Sequence, residues 1–287
     1  MSFKDRIFYN KCSLVVYLML LICFYILLSC KRIPEISNAT INYSYNSIGL
    51  ITVSLEHGKF LLIDTGSDGS LIFGDKIKIN STIKGISLIN KKHLFYHRRI
   101  DSLQIGNLLI KNHNFIFAKG ENPILKKDTT IVGILGMDIL SQKYCYFDIK
   151  NQTITFSDKK TTQTILPSFV FSYKLADQPI SDININGNII ENVLFDTGFD
   201  SFLELLEKDK EKLNLLDSLK KEDRHGIFSN QRIVYFGEPD SIKINEVVFY
   251  NPKILYGQKY RALGMSFVKS WSSFLIDPFN KRIEFYL

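Results

Sequence analysis

Cysteine, proline and glycine are scarce in this sequence, which has 4 Cys, 7 Pro and 16 Gly among 287 residues and 23% charged side chains. These proportions exclude a collagen-like repeat, a low-complexity polymer and a charge-rich disordered chain. Gly-rich phosphate loops, a Ser-His-Asp order and Cys-x-x-Cys pairs are also absent. The remaining composition, 45% hydrophobic, predicts a globular chain with one large domain or two small ones.

The histidines form no recognisable metal-binding pattern. At positions 93, 97, 113 and 225 they lack metal-like spacing with cysteines or acidic residues. We therefore interpret His93, His97, His113 and His225 as surface residues, and we expect neither a metal nor another cofactor.

The first 29 residues predict an export signal. Three Lys or Arg residues lie within the first 11 positions, and Ser13–Ser29 then runs without a charge. The segment ends in Leu27-Leu28-Ser29-Cys30, which resembles the lipobox of bacterial lipoprotein precursors, and this resemblance implies cleavage before Cys30 and lipidation of its thiol. The apolar stretch of about 17 residues is at the short limit for a bilayer span, so an uncleaved anchor is the alternative. Both interpretations place the protein at the bacterial cell envelope, anchored to a membrane and facing the periplasm or the cell exterior.

Removal of residues 1–29 changes the charge and the cysteine count. Three basic and one acidic residue leave, so 33 Lys and Arg remain against 28 Asp and Glu, and the formal charge falls from +7 to +5. No basic run or aromatic-interleaved stripe stands out, so we expect no nucleic-acid partner. Besides Cys30, only Cys145 is left, which excludes an intramolecular disulfide. The apolar neighbours of Cys145 predict a buried thiol rather than a nucleophile.

The rest of the sequence contains one pattern twice. Three features recur in the same order, with offsets of 132, 128 and 129 residues. A nearly constant offset predicts a duplicated unit. The matching pairs are Leu61–Gly66 with Val193–Gly198, Ile134–Leu140 with Ala262–Val268, and Cys145–Asp148 with Phe274–Asp277.

The duplication predicts how the chain is divided. We expect a tether at 30–40, an N-terminal lobe at 41–157, a linker at 158–172 and a C-terminal lobe at 173–287. In this scheme Asp148 and Asp277 precede the last strand of each copy, where we expect them to cap a turn.

Each copy has the composition and the turn residues of β structure. Segments rich in Ile, Val, Phe and Tyr alternate with Gly or Asn turns, of which Asn186-Gly187 is the strongest hairpin signal. We expect one long helix at Ser201–Lys221, because its leucines fall near one face, and short helices at Asp138–Lys143 and Ser266–Trp271. The predicted strands are Ile51–Ile63, Ser102–Ala118, Thr153–Phe156, Asp182–Phe195, Ser241–Leu255 and Arg282–Leu287.

The two Asp-Thr-Gly loops can present a pair of carboxyl groups. If the copies pack about a pseudo-two-fold axis, Asp64 and Asp196 meet at the centre. Two carboxyl groups about 3 Å apart share one proton, because both cannot ionise cheaply. The pair then contains a base and an acid at once. An Asp-Thr-Gly segment can also be a simple turn, but two copies in register favour the catalytic pair.

These motifs resemble those of the pepsin and retropepsin superfamily of aspartic proteases, in a two-lobed, single-chain form found among bacterial envelope lipoproteins. The resemblance covers approximately residues 41–287 and includes the elements Ile134-Leu135-Gly136 and Ala262-Leu263-Gly264. It implies an all-β fold, with two pseudo-two-fold-related acid-protease β-barrel lobes and a few short helices. By this resemblance the catalytic dyad is Asp64 and Asp196, and the loop residues that support it are Thr65, Gly66, Ser67, Thr197 and Gly198.

Two features depart from the family pattern. Phe199 follows the second motif, where family members usually carry a small or hydroxylated residue, and we expect it to alter hydrogen bonding around Asp196. The hairpin flap that closes the family's cleft has no recognisable sequence here. Tyr96 within Leu94–Arg99, or Gly226–Val234 in the second copy, are the candidate positions.

The sequence therefore predicts an aspartic-type endopeptidase that acts on polypeptides, as a monomer anchored through Cys30 or through the uncleaved apolar segment. The alternative is a catalytically silent lipoprotein of the same fold that binds a peptide or has a structural role in the envelope.

Overall fold

The computed structural model describes residues 34–73, 81–90, 93–119, 129–161, 165–174, 178–213, 219–224, 232–258 and 260–287. Residues 35–287 belong to one unit. The export signal and Cys30 lie outside the described residues, as does the start of the predicted tether at 30–33, so the signal and the lipidation stay predictions. The rest of the predicted tether includes the strand residues Glu35–Ile36 and the start of a strand at Ala39. Within the described part of the chain, no helix has the length and apolar character needed to cross a membrane.

The chain up to residue 157 is built almost entirely of strands. A one-turn 3₁₀ helix at Glu56–Gly58 and a short helix α1 at Met137–Leu140 interrupt them. The strands are β1 Glu35–Ile36, β2 Ala39–Tyr45, β3 Ile51–Ser54, β4 Phe60–Ile63, β5 Leu71–Phe73, β6 Ser81–Asn90, β7 His93–Ile105, β8 Leu108–Lys119, β9 Ile131–Leu135, β10 Tyr144–Asp148 and β11 Thr153–Ser157.

The rest of the chain repeats this composition, with short helices α2 at Asp209–Leu213 and α3 at Met265–Val268. The expected all-β fold class with a few short helices is therefore confirmed. The strands are β12 Phe169–Ser172, β13 Ile180–Ile185, β14 Asn188–Phe195, β15 Leu203–Leu206, β16 Lys220–Arg224, β17 Arg232–Gly237, β18 Ser241–Ile244, β19 Val247–Tyr250, β20 Ile254–Gly257, β21 Arg261–Leu263, β22 Ser273–Asp277 and β23 Arg282–Tyr286.

Two sheets repeat one strand order. The order β4-β9-β5-β8-β7-β6 in the first sheet corresponds to β14-β21-β15-β20-β17-β16 in the second. In the first sheet, β4 leads into the first Asp-Thr-Gly motif and runs parallel to β9, whereas β5 is antiparallel to β9. In the second sheet, β14 leads into the second motif and runs parallel to β21, whereas β15 is antiparallel to β21. The sequence repeat is thus also a repeat of topology, which places the two Asp-Thr-Gly loops in equivalent positions.

The last strands of the two copies meet in a shared section of the first sheet, in the order β23-β22-β10-β11. Cys145 pairs with Ile276 and Phe147 with Phe274 across the join, and the rings of Phe147 and Phe274 stack at 4.2 Å between centroids. Cys145 is fully buried, as expected. The copies therefore share a hydrophobic core, because the strands that join them bury side chains from both. The lobe boundaries near 157 and 173 stay predictions.

Local turn predictions also agree with the structure. Asn186 and Gly187 take positive φ angles of 48° and 88° between β13 and β14, as a two-residue hairpin turn requires. Asp148 accepts a hydrogen bond from the backbone N–H of Asn151 at 2.8 Å, and Asp277 accepts the equivalent one from Asn280 at 3.0 Å. The two aspartates therefore cap equivalent turns before the final strand of each copy.

The predicted long helix at Ser201–Lys221 is wrong. The segment contains the strand β15, the five-residue helix α2 and the start of β16, with residues 214–218 outside the described part. Strand β15 lies between β20 and β21 and Leu203–Leu205 are fully buried. A strand covered on both faces loses the alternation of polar and apolar residues, so its leucines resembled a helical stripe.

The interpretation of His113 as a surface residue is also wrong. His113 lies on β8, is only 6% exposed and contacts the carboxylate of Asp138. His97 on β7 is exposed, as expected, while the side chain of His93 and the whole of His225 lie outside the described residues. Because the neighbours of His113, Asn112 and Asn114, are polar, the local sequence does not indicate that its side chain is buried.

Candidate active site

The two copies of Asp-Thr-Gly lie face to face. Asp64 follows β4 and Asp196 follows β14, and their carboxyl groups share a hydrogen bond. A neighbouring strand holds the first residue of each motif in place. The N–H of Asp64 donates to Leu135 O of β9 at 3.0 Å, and the N–H of Asp196 donates to Leu263 O of β21 at 2.9 Å. The structure thus brings together the two carboxyl groups that the sequence selected from opposite halves of the chain.

Backbone N–H groups orient each carboxyl group. Gly66 and Ser67 donate to Asp64 Oδ1 at 2.8 and 3.1 Å. Gly198 donates to Asp196 Oδ1 at 2.8 Å, whereas the N–H of Phe199 donates to the backbone oxygen of Asp196 at 3.2 Å. Among the described residues, Asp64 therefore has two backbone donors on its side chain and Asp196 has one. The N–H of Ser67 also donates to the backbone oxygen of Asp64 at 3.3 Å, so the loops differ only in the second bond to the carboxyl group, and an effect of Phe199 on it stays a prediction.

The two threonines interlock beneath the carboxyl groups. Thr65 Oγ1 donates to Phe195 O at 2.8 Å and accepts the N–H of Thr197 at 3.0 Å. Thr197 Oγ1 makes the mirror-image bonds, to Ile63 O at 2.9 Å and from the N–H of Thr65 at 3.0 Å. Both threonines are fully buried. Four hydrogen bonds that cross between the loops therefore hold the dyad together away from water.

The motif glycines are required by the close approach of the opposite loop. A Cβ atom on Gly66 would lie 2.5 to 2.8 Å from the three carboxyl atoms of Asp196, and one on Gly198 would lie 2.6 to 2.8 Å from those of Asp64. Such distances are far inside van der Waals contact, so each aspartate occupies the space that a side chain on the other loop would need.

We expect Gly66→Ala to displace Asp196 and to lower peptide cleavage by about 100-fold, the effect of a misplacement near 1 Å. Overpacking should cost only about 1–3 kcal/mol of folding stability. The checks are kcat/KM per folded molecule and the free energy of unfolding in urea. Gly187→Ala is the control: its φ of +88° is strained for alanine, yet nothing lies within 4 Å of the added atom. That variant should lose stability without losing activity, and equal losses of activity in both would refute the role of Gly66.

Burial and mutual repulsion change the acidity of both aspartates. Burial raises the pKa of Asp64, opposed by the hydrogen bond from Asp196 and by the N–H groups of Gly66 and Ser67. Burial also raises the pKa of Asp196 well above its usual range, and the negative charge of Asp64 and the hydrogen bond to it add to this increase. The pair therefore keeps one shared proton to higher pH than an isolated aspartate would, and this titration belongs to the pair rather than to either aspartate.

Glu204 is a third carboxyl group near this pair, and no motif in the sequence singles it out. It is fully buried on β15, opposite Ala262, which pairs in turn with Leu194 just before Asp196. Its negative charge contributes to the raised pKa of Asp196. Ile72 lies 132 positions earlier, at the offset of the two Asp-Thr-Gly motifs, and is apolar. Comparison of the two copies would have revealed Glu204, since a charge replaces an apolar residue there.

Glu204→Gln should move the alkaline limb of the activity profile to lower pH. The carboxylate of Glu204 raises the pKa of Asp196, so its removal lowers that pKa and the shared proton is lost earlier as pH rises. The measurement is kcat/KM against pH, together with a ¹³C titration of the aspartate carboxyl groups. Glu284→Gln replaces another buried glutamate, on β23, and should leave the profile unchanged. A limb that stays in place in Glu204→Gln would contradict this role.

Phe199 and Arg224 cover the second loop. The ring of Phe199 is 7% exposed and packs with Val234, Leu255 and Ala262 in a small cluster apart from the main core. The guanidinium of Arg224 lies 5.9 Å from the centre of this ring and forms an ion pair of 2.6 Å with Asp200. The unusual residue after the second motif thus packs beneath the β16–β17 hairpin.

The structure places the first candidate flap segment, and the described end of the second, on paired antiparallel strands. Leu94–Arg99 belongs to β7, which pairs with β6. In the second copy, β16 and β17 pair, and most of Gly226–Val234 lies outside the described residues. The function of either hairpin as a flap, including that of Tyr96, stays a prediction. In the described ranges, no group of three or more His, Cys, Asp or Glu residues is arranged to hold a metal ion.

No protein-family model matches the chain, and a search of curated proteins finds no match. Solved structures with a similar fold include basic 7S globulin from soybean, at 9% identity over 88% of this chain and 97% of that one, with a TM-score of 0.47. Conglutin gamma, a basic 7S globulin from lupine seeds, is 12% identical over 88% and 95%, with a TM-score of 0.45. A retropepsin-like aspartic protease from Rickettsia conorii is 22% identical over 45% of this chain and 98% of its own, with a TM-score of 0.32. Similarities at this level leave the activity of the site open.

Proposed function

We propose that this protein is an aspartic-type endopeptidase that hydrolyses peptide bonds with a water molecule activated between Asp64 and Asp196. One observation carries the proposal: two carboxyl groups from repeated Asp-Thr-Gly loops share a hydrogen bond in a site where burial raises both pKa values. A closely spaced carboxyl pair of this kind is costly to fold, because each ionised member repels the other. Its occurrence together with the threonine interlock and the close-approach glycines favours a catalytic use.

The reaction follows from the sharing of one proton between Asp64 and Asp196. The ionised member of the pair accepts a proton from water, and the hydroxide equivalent forms a C–O bond to the peptide carbonyl carbon. The protonated member donates its proton to the carbonyl oxygen as the π bond opens, which gives a neutral tetrahedral diol. Collapse of the diol breaks the C–N bond: one carboxyl group gives a proton to the leaving nitrogen and the other accepts one from a hydroxyl. The products are a carboxylic acid and an amine, and the pair again holds one proton.

The loop groups hold this geometry during the reaction. Gly66, Ser67 and Gly198 keep their N–H groups directed at the carboxyl oxygens, so the negative charge of the pair has fixed donors in every protonation state. Thr65 and Thr197 hold the loops together. A monomer therefore supplies the complete site, and the chemistry calls on no metal or other cofactor.

The proposal includes the biological setting expected from the sequence. The protein acts on polypeptides at the bacterial cell envelope, anchored through lipidated Cys30 or through the uncleaved apolar segment, and faces the periplasm or the cell exterior. Mass spectrometry of the membrane-bound form distinguishes the anchors, since an intact Met1–Ser29 would exclude lipidation of Cys30.

The test of the activity is cleavage of a peptide library by the full chain in detergent, across acidic to neutral pH. Products are identified by mass spectrometry, and a protein carrying both Asp64→Asn and Asp196→Asn is the blank. Cleavage by the wild type alone supports the proposal. If the wild type cleaves nothing, or the blank cleaves the same bonds, the endopeptidase proposal fails, and the silent peptide-binding lipoprotein becomes the better account.

A further inference from the structure

A chain of hydrogen bonds leads away from the first catalytic loop into the body of the first copy. Ser70 Oγ accepts the N–H of Gly136 at 3.0 Å and donates to Asp138 Oδ1 at 2.6 Å. The other carboxylate oxygen, Asp138 Oδ2, lies 2.7 Å from His113 Nε2. Ser70 is fully buried and His113 is 6% exposed. Three side chains from the loop, from α1 and from β8 are therefore linked in series, with both ends away from solvent.

This chain is mechanically close to the dyad. Met137 N–H donates to Ser67 O at 2.8 Å, and a Cβ atom on Gly136 would lie 2.8 Å from the backbone oxygens of both Ser67 and Gly69. The start of α1 is thus in direct contact with the loop and leaves it no free space. Ser67 in turn donates to Asp64 Oδ1. A shift of Asp138 therefore passes to Ser67 and from there to the carboxyl group of Asp64.

The surroundings of His113 fix its orientation. Its ring meets Phe115 edge to face, with 5.2 Å between centroids. Nδ1 is buried and has no hydrogen-bond partner among the described residues, so the tautomer that carries its proton on Nε2 fits the site. In that form His113 donates to Asp138, and Asp138 can accept from Ser70 and His113 at the same time.

The second loop is supported in another way. In the repeat, Phe202 corresponds to Ser70 and Ser266 to Asp138. Here Ser266 Oγ donates to Asp200 O at 2.8 Å, and Arg224 of β16 forms an ion pair with the carboxylate of Asp200. The hydrogen-bonded series of His113, Asp138 and Ser70 therefore supports the loop that carries Asp64 and has no counterpart at the second loop among the described residues. Since the second loop adopts the same fold without it, the fold itself does not require this series.

We propose that His113 is a positioning residue for catalysis: through Asp138 and Ser70 it fixes the first catalytic loop, and with it the orientation of Asp64 towards Asp196. The proposal rests on the proposed endopeptidase activity for its kinetic test, while its structural part can be measured without any activity.

The test compares two substitutions of the same histidine. His113→Gln keeps a side-chain N–H that can donate to Asp138, whereas His113→Phe keeps an aromatic ring beside Phe115 and leaves Asp138 Oδ2 without its donor. We expect His113→Phe to lower kcat about 10- to 100-fold per folded molecule, with KM unchanged, as for a small displacement of a catalytic group. His113→Gln should stay within about twofold of the wild type. If the ring serves packing alone, His113→Phe will be the more active of the two, and the proposal fails.

Two further measurements keep the result decisive. Ser70→Ala interrupts the chain at the loop without changing His113, so it should reproduce the loss of kcat even if His113→Phe folds poorly. Amide hydrogen exchange of the peptide containing Gly66 and Ser67 should be faster in His113→Phe and in Ser70→Ala, but not in His113→Gln. If the wild type cleaves no peptide, the proposed function fails, but exchange still decides the positioning role. Equal exchange in all variants would overturn it.

Discussion

Replacement of Asp64 or Asp196 by Asn is expected to lower kcat/KM for peptide cleavage by about 100- to 10,000-fold. Each aspartate supplies one half of a combined base and acid, and loss of a positioned proton-transfer group costs about 100- to 10,000-fold. Asparagine has the same shape as aspartate and keeps an oxygen that can accept the N–H of Gly66 or Gly198. The loops should therefore keep their conformation while the shared proton is lost.

The same variants should be more stable than the wild type at neutral pH. A carboxyl group whose pKa is raised by folding stabilises the folded state below its unfolded pKa, and that contribution is lost as pH rises through the folded pKa. Both aspartates have raised pKa values, so the wild type loses this contribution from acidic towards neutral pH. A neutral asparagine removes one source of the loss.

The measurements are kcat/KM and urea unfolding at acidic and neutral pH, with the buried Trp271, the only tryptophan, as the fluorescence probe. Asp148→Asn is the control, because Asp148 also repeats in the sequence but caps a turn. It should leave cleavage unchanged. Full activity in Asp64→Asn or Asp196→Asn would refute the catalytic role of the pair.

Replacement of Thr197 by Val is expected to be the most destabilising substitution at the site. Valine fits the same volume but lacks the hydroxyl, so Ile63 O and the N–H of Thr65 lose their partners in a fully buried region. An unsatisfied buried polar group costs about 1–3 kcal/mol, so the two together should cost about 2–6 kcal/mol. Against a total stability of about 5–15 kcal/mol, such a loss is large.

Thr197→Ser is the matched control, because serine retains the hydroxyl and loses only a methyl group. The free energy of unfolding should fall much less in this variant, and kcat/KM should stay close to the wild-type value. Thr65→Val should behave like Thr197→Val, since its bonds to Phe195 O and from the N–H of Thr197 are equivalent. Equal stability of the valine and serine variants would show that the interlock contributes nothing to folding.

Much of the fold and the pairing of Asp64 with Asp196 could be anticipated, because duplication makes one copy a test of the other. The Asp-Thr-Gly loops, the turns capped by Asp148 and Asp277, and the short helices α1 and α3 recur at a nearly constant offset. A feature that recurs in both copies can be predicted from each copy separately, and the two predictions can be compared.

The errors fall where the copies differ or where burial hides the pattern. The leucines of β15 were assigned to a helix because both faces of this strand are buried, so its sequence does not alternate between polar and apolar residues. Glu204 and His113 lie outside the repeated motifs, so a search for the motifs alone does not select them, although a residue-by-residue comparison of the copies distinguishes Glu204. Their positions depend on contacts between distant strands, which no local pattern specifies.

The threonine bonds also determine when a working site can first exist. They join residues that lie 130 to 134 positions apart in the chain, a separation that slows folding because long loops must close before such contacts form. During synthesis, a chain that ends before Asp196 has only one member of the carboxyl pair, Asp64, and no partner loop. The carboxyl pair can therefore form only after the second loop has been synthesised, and Leu263, whose oxygen accepts the N–H of Asp196, follows later still among the 287 residues.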